Sequence, residues 1–164
     1  MKKSDIIPFK IVSLSDLRQM AARWRLLSKT FAFTNGCFDI LHTGHIASLS
    51  EAASEADFLV VGVNSDASCR RLKGPGRPVN DEQARSMVLA SLLMVDAVVL
   101  FEEDTPLHLI QTLLPDVLVK GGDYTIDQIV GAKEVIANGG RVVTNRMVEG
   151  VSTTATIESI KNKK

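Results

Sequence analysis

Excess charge of either sign is missing from this chain of 164 residues, which sets 19 basic residues against 19 acidic ones. A neutral total gives no whole-molecule attraction to polyanions, so nucleic acid and anionic membrane are not expected partners. A local basic pocket for one small phosphorylated molecule stays open. Aromatic residues are scarce at 5%, so Val, Leu, Ile and Ala have to form the core, which suits a sheet covered by helices. Only two cysteines occur, and without a charged, apolar secretory leader Cys37 and Cys69 read as free thiols. The longest apolar stretch, residues 87–101, is broken by Ser91 and Asp96 and falls short of the roughly 20 residues that span a bilayer. These absences point to a cytoplasmic protein of one compact domain, with no room for a second catalytic one.

Hydrophobic periodicity divides the chain into a lead with a packing helix, residues 1–29, and a main part, residues 30–164. In the lead, Ser15 or Asp16 is the expected cap of a helix whose Leu17, Met20, Ala21, Trp24 and Leu27 form one apolar face. Residues 31–34, 58–63, 97–101, 117–119 and 141–143 read as strands, most too apolar to have a solvated face. Helical patterns over 45–55, 81–93, 106–114 and 126–137 separate them, with Thr105 and Thr125 as expected caps, and a last helix begins near Thr153. The alternation predicts an α/β fold with a doubly wound, five-stranded parallel sheet. Residues 72–80 form the one long irregular stretch, broken by Gly74, Pro75, Gly76 and Pro78. In such a sheet ligands bind beyond the carboxyl ends of the strands, where the strand order reverses.

Two common phosphate-binding patterns are absent: G-x-x-x-x-G-K-[ST] does not occur, and no G-x-G-x-x-G comes after the first strand. That strand instead runs into Thr34-Asn35-Gly36-Cys37-Phe38-Asp39-Ile40-Leu41-His42-Thr43-Gly44-His45. His42 and His45, three apart at a helix start, project from one side, where free backbone N–H groups and the helix dipole already favour an anion. Gly44 lets a phosphate approach the backbone, and Gly36 keeps the strand end open. A metal half-site is the duller reading, but beyond Cys37 and Asp39 no compact set supplies the remaining ligands, so no resident metal is expected. His108, inside a helical pattern, reads as structural or exposed.

The H-x-G-H at the end of G-x-F-D-x-L-H resembles the nucleotidyltransferase superfamily that includes glycerol-3-phosphate cytidylyltransferase and phosphopantetheine adenylyltransferase. Val63-Asn64-Ser65-Asp66, Leu72-Lys73-Gly74, Arg77-Pro78-Val79-Asn80, the run from Phe101 to Pro106, Lys120-Gly121-Gly122-Asp123-Tyr124 and Gly150-Val151-Ser152-Thr153-Thr154 resemble the adenylyltransferase domain of the ADP-heptose synthases. That resemblance covers about residues 30–160. It implies a Rossmann-like nucleotidyltransferase fold without the sugar kinase that precedes this domain in the bifunctional members. The implied reaction is transfer of AMP from ATP, with Mg²⁺, to D-glycero-β-D-manno-heptose 1-phosphate, giving ADP-heptose and pyrophosphate. A cytidylyltransferase for glycerol 3-phosphate and a non-catalytic nucleotide-binding module are the alternatives.

The resemblance also implies roles for residues. His42, His45 and Lys73 would act on the phosphates, with Asn35, Gly36, Cys37, Phe38 and Gly44 around the nucleotide. Gly121 and Asp123 would meet base or ribose, and Ser152, Thr153 and Thr154 would form a second phosphate cradle. Arg85 either binds phosphate or makes a local ion pair within residues 81–85. Asp39 and Asp66 match family positions, with loop orientation and helix capping as their plainer roles. The related glycerol-phosphate enzymes have arginine where Met147 stands, and Arg146 is the candidate substitute. A homodimer is implied, for which the helix after Ser15 and residues 87–95 offer apolar faces.

Overall fold

A computed structural model describes residues 6–145 and 152–161. The comparison of Arg146 with Met147, and the Gly150-Val151 part of the last motif, lie outside the described residues. Five parallel strands, β1 (Phe31–Gly36), β2 (Phe58–Asn64), β3 (Ala97–Phe101), β4 (Val117–Gly121) and β5 (Arg141–Asn145), form one sheet in the order β3-β2-β1-β4-β5. The doubly wound fold expected from the alternating pattern is therefore the fold observed. Because residues on a strand alternate sides, Phe31 and Phe33 enter a core on one face while Ala32 enters a core on the other. A strand covered on both sides has no polar alternation, which is why these runs are apolar throughout.

Helices α1 (Leu14–Leu26), α5 (Leu107–Leu113) and α6 (Ala132–Ala137) cover the first face, and α2 (Thr43–Ala53) and α4 (Glu82–Ala90) the second. Two more helices, α3 (Asp66–Lys73) and α7 (Thr153–Lys161), lie at the carboxyl side of the strands that precede them. The lead is joined to the same core: Leu17 and Ala21 are buried, and Trp24 stacks on Phe58 with ring centroids 4.5 Å apart. Much of the apolar face of α1 is thus consumed inside the molecule. Of the residues expected on it, Leu27 is instead 71% exposed. On the other expected face, Met87, Val88 and Leu93 are exposed.

Several local expectations are corrected. Ser13, not Ser15 or Asp16, caps α1: its hydroxyl oxygen accepts from the Asp16 N–H at 3.1 Å and its hydroxyl donates to the Asp16 carboxylate at 2.7 Å. Pro106, not Thr105, is the cap residue of α5, with no side-chain bond. The helix expected over 126–137 is two pieces. Thr125 precedes a 3₁₀ turn at Ile126–Gln128, and α6 starts only after Gly131, whose φ of +86° breaks the spiral. A Cβ at Gly131 would fall 2.5 Å from Ile110, so that backbone turn and the absent side chain are both required. Lys73 is the last residue of α3, closed by Gly74, and not part of the irregular loop.

The strand order reverses between β1 and β4, which pair only at Ala32 with Val117 and Phe33 with Leu118. Beyond those positions the two strands continue unpaired with each other to Gly36 and Gly121. The opening between their carboxyl ends is the switch-point crevice where an open α/β sheet binds ligands.

Candidate active site

The crevice holds a cavity of about 430 Å³. Into it the fold brings Asn35, Gly36, Cys37 and Phe38 from the end of β1, His42, Gly44 and His45 from the start of α2, and Lys73 from the end of α3. Gly121 arrives from β4, and Ser152, Thr153 and Thr154 from the start of α7. Residues far apart in sequence thus share one wall, with two helix N-termini opening on it.

The segment between β1 and α2 is fixed by three contacts. Phe38 has φ +48°, a conformation that a bulky side chain rarely adopts. In it, the ring packs against Gly36, where a Cβ would meet it at 3.1 Å, and meets His45 edge-on at 5.6 Å. The buried Asp39 carboxylate accepts from the backbone N–H groups of Val79 and Asn80 and from the Arg77 guanidinium at 2.7 Å. Burial pushes the Asp39 carboxyl up, but the N–H groups of Asn80 and Val79 and the charge of Arg77 outweigh it and hold it below the ordinary carboxylate range. Asp39 therefore ties the loop before α4 to the histidine string and sets Arg77 on the cavity wall.

His42 and His45 stack with ring centroids 3.9 Å apart. His42 is the cap residue of α2 and His45 its third residue, and the His42 N–H donates to His45 Nδ1 at 3.3 Å. With Nδ1 spent as an acceptor, the neutral His45 ring carries its hydrogen on Nε2 and offers one donor. His42 Nδ1 is buried with no partner among the described residues, an unusual cost unless something else meets the ring. Burial first, and the neighbouring His42 second, push the His45 pKa down from 6.5 to about 4. The folded protein therefore refuses a proton that the unfolded chain accepts. Stability is expected to fall as pH drops from about 6.5 to about 4, and to be independent of His45 above that range. Urea unfolding at pH 7, 5.5 and 4.5 on wild type and His45→Gln checks this. The variant should show the shallower pH dependence, and equal slopes would contradict the assignment.

Ser152, Thr153 and Thr154 line the same cavity as the histidines. Thr153 spends its hydroxyl hydrogen on the Ile40 carbonyl at 3.2 Å, so this hydroxyl pins α7 to the β1–α2 segment, and the backbone N–H groups and Thr154 remain as donors toward an anion.

Two expected residues are not brought in. Arg85 is 2% exposed and does not line this cavity. Its guanidinium donates to the carbonyls of Asn80, Cys37 and Asn64 and to the Asp66 carboxylate at 2.7 Å. Four of the five donors in its planar fork are thus taken by the segment after β1, the end of β2, the loop before α4 and the start of α3, and its burial keeps it off the cavity wall. Its ion-pair partner is Asp66 and not an acid of its own segment. Asp66 in turn does not cap α3, since Ser65 does. Asp123 is exposed and does not line the cavity; Tyr124 beside it is on the wall instead. Thr34, Ser48, Arg77, Lys120 and Tyr124 are not among the residues expected at the site from sequence, yet all five line the cavity. His108 is exposed, and the thiols of Cys37 and Cys69 are free.

A model of the cytidylyltransferase-like family matches residues 33–159. The chain is 59% identical over 151 residues to the bifunctional protein HldE of Mesorhizobium japonicum, covering 92% of this chain and 30% of that protein. It is 58% identical over 148 residues to the bifunctional protein HldE of Rhodospirillum rubrum, again covering 30% of the relative. It thus spans about a third of the length of the curated relatives it matches. Among solved structures, a lipopolysaccharide core biosynthesis protein from Thermoplasma volcanium superposes with TM-score 0.59 at 28% identity, over 73% of this chain and 97% of that one. Pantoate-beta-alanine ligase from Francisella tularensis superposes with TM-score 0.63 at 16% identity, over 93% of this chain and 76% of the other, a likeness of fold.

Proposed function

The chain belongs to the cytidylyltransferase-like family, and from that membership we propose that it transfers AMP from ATP to D-glycero-β-D-manno-heptose 1-phosphate. The products are ADP-heptose, for surface polysaccharide assembly, and pyrophosphate. The observation that carries this reading is the convergence of His42, His45, Lys73 and the start of α7 on one crevice, together with identity of 50% or more to several HldE proteins.

In the reaction a phosphate oxygen of the sugar 1-phosphate forms a bond to the α-phosphorus of ATP, the bond from that phosphorus to the α,β-bridging oxygen breaks, and pyrophosphate leaves. No covalent nucleophile on the protein is required. Catalysis then consists of positioning and of donors aimed at charge that builds on the α- and β-phosphates. His42 and His45 serve as those donors, Lys73 brings a mobile ammonium to the same phosphates, and the backbone at the start of α7 receives the triphosphate from the opposite side. Gly36 and Gly44 keep side chains out of the path of the ligand.

Magnesium enters with ATP. The ion would be bound mainly by the substrate phosphates. Its contribution is to neutralise the leaving pyrophosphate. The same reading places the protein in the cytoplasm, where ATP is available, and no helix of the described residues is long and apolar enough to cross a membrane. The homodimer implied by the family resemblance is checked by sedimentation velocity.

Parallel assays with ATP and CTP, each against heptose 1-phosphate and glycerol 3-phosphate, test the substrate pair. Pyrophosphate release is expected with ATP and the heptose alone. Turnover with CTP and glycerol 3-phosphate would replace this reading with a cytidylyltransferase, and ATP binding with no turnover would replace it with a regulatory module.

A further inference from the structure

The two cysteines of this chain meet at the base of the crevice. Strands β1 and β2 pair in parallel as far as Gly36 with Val63, so Cys37, the next residue, comes out beside Asn64. Helix α3 packs on β2, and its Cys69 thiol donates to the Asn64 carbonyl at 3.6 Å. Arg85 donates to the carbonyls of both Cys37 and Asn64, which holds the two backbones together. The Cys37 and Cys69 thiols are hydrogen-bonded to each other.

The pair is unequal. Cys37 lines the crevice cavity and a second cavity beside it, so a small solute can reach it. Lys73 and Lys120 line the same two cavities, giving the electropositive, partly exposed surroundings in which reactive cysteines occur. Cys69 is 0% exposed. Burial first, and the contact with Cys37 second, push its thiol up to about 12, so it stays protonated and out of reach of solutes. A buried thiol held against an accessible one is the arrangement of a resolving cysteine behind a sensing one.

We propose that Cys37 and Cys69 form a reversible disulfide switch: a hydroperoxide oxidises Cys37 from the cavity, and Cys69 closes the bond. In the first step the Cys37 sulfur forms a bond to a peroxide oxygen, the O–O bond breaks, and the other oxygen leaves with the thiol proton as an alcohol or water. Cys37 is then a sulfenic acid. In the second step the Cys69 sulfur forms a bond to the Cys37 sulfur, the S–O bond breaks, and the departing hydroxide takes the Cys69 proton and leaves as water. Two thiols are oxidised and one hydroperoxide is reduced. Cys37 opens the segment that leads to His42 and His45, and Cys69 lies about one helical turn before Lys73 on α3. Shortening the thiol contact to an S–S bond of about 2.05 Å draws those two walls together and displaces groups whose positions carry the reaction. The bond stands apart from the nucleotidyl-transfer reading; only its effect on turnover rests on that reading.

Mass spectrometry of native protein exposed to hydrogen peroxide and then denatured in N-ethylmaleimide tests the bond. Wild type should lose two hydrogens, take up no maleimide and yield peptides joined through Cys37 and Cys69, all reversed by dithiothreitol before alkylation. Cys37→Ser should keep Cys69 alkylatable after the same exposure. Cys69→Ala should carry a sulfenic acid at Cys37 that dimedone captures, and on longer exposure a sulfinic acid that dithiothreitol does not reverse. Two alkylatable thiols in treated wild type, or a sulfinic acid on Cys37 without a cross-link, would overturn the proposal. So would a bond that joins two chains on a non-reducing gel, or equal oxidation of Cys69 with and without Cys37. The wild-type cross-link decides the matter even where a variant folds poorly.

Pyrophosphate release from MgATP and heptose 1-phosphate should fall by on the order of 10- to 100-fold in the oxidised protein, the cost of displaced reacting groups, and return with dithiothreitol. An oxidised protein as active as the reduced one would overturn the switching role. If reduced wild type shows no turnover, the functional reading falls, and the mass measurement still decides whether the bond forms.

Discussion

Replacing His42 by alanine is expected to lower kcat by on the order of 10² to 10³, the usual loss for one transition-state donor, equivalent to about 2.7 to 4 kcal/mol. KM for ATP should change far less, because the donor acts where charge develops and not where the nucleotide is already held. The folded state should change little, because His42 Nδ1 has no hydrogen-bond partner among the described residues. His45→Ala is expected to lose activity to the same extent but to cost stability as well. Its Nδ1 accepts the His42 N–H, and loss of a capping acceptor costs about 0.5 to 2 kcal/mol. Rate and melting temperature measured on both variants separate the two effects. Near-normal turnover in either would remove that histidine from the chemistry.

Arg85→Met is expected to be the most destabilising single change at the base of the site. The side chain is fully buried while that of its partner Asp66 is 30% exposed, and three backbone carbonyls rely on the same guanidinium. Breaking a buried charged network by removing one partner costs about 3 to 5 kcal/mol, which in a domain of this size lowers the melting temperature by on the order of 10 °C. Chemical denaturation of wild type and variant measures it. An unfolding midpoint equal to wild type would contradict the anchoring role and return Arg85 to the candidates for phosphate contact.

Much of this architecture is legible in the sequence because the signals are local. Five apolar runs separated by helical periods fix the class, and a strand that feeds glycine and two histidines into a helix start points to the crevice of the candidate site. The features that sequence hides depend on contacts between distant residues. Arg85 has acids beside it at Asp81 and Glu82, yet its partner Asp66 lies 19 positions earlier, and only the packing of α3 beside α4 selects it. Helix α3 has Arg70, Arg71 and Lys73 in its last turn and buries only Ser68 and Cys69, so it lacks the apolar stripe that reveals a helix. Lys73 accordingly reads in sequence as part of the loop after it. The apolar period runs on through Gly131 although the backbone reverses there, so two elements look like one. Lys120 stands in the sequence as the first residue of the family-like segment Lys120-Gly121-Gly122-Asp123-Tyr124, with no role of its own. Its half-buried position on the cavity wall exists only once β1 and β4 have separated at the switch point.

Whether this crevice moves AMP is decided by label transfer. Purified chain is incubated with Mg²⁺, heptose 1-phosphate and ATP labelled at the α-phosphate, with pyrophosphatase present to draw the reaction forward. The expected outcome is label in a sugar nucleotide that carries adenine, in proportion to the phosphate released, and its loss in His42→Ala. Label that stays in ATP, or a sugar nucleotide formed only when labelled CTP is supplied instead, would show that adenylyl transfer is not what the crevice does.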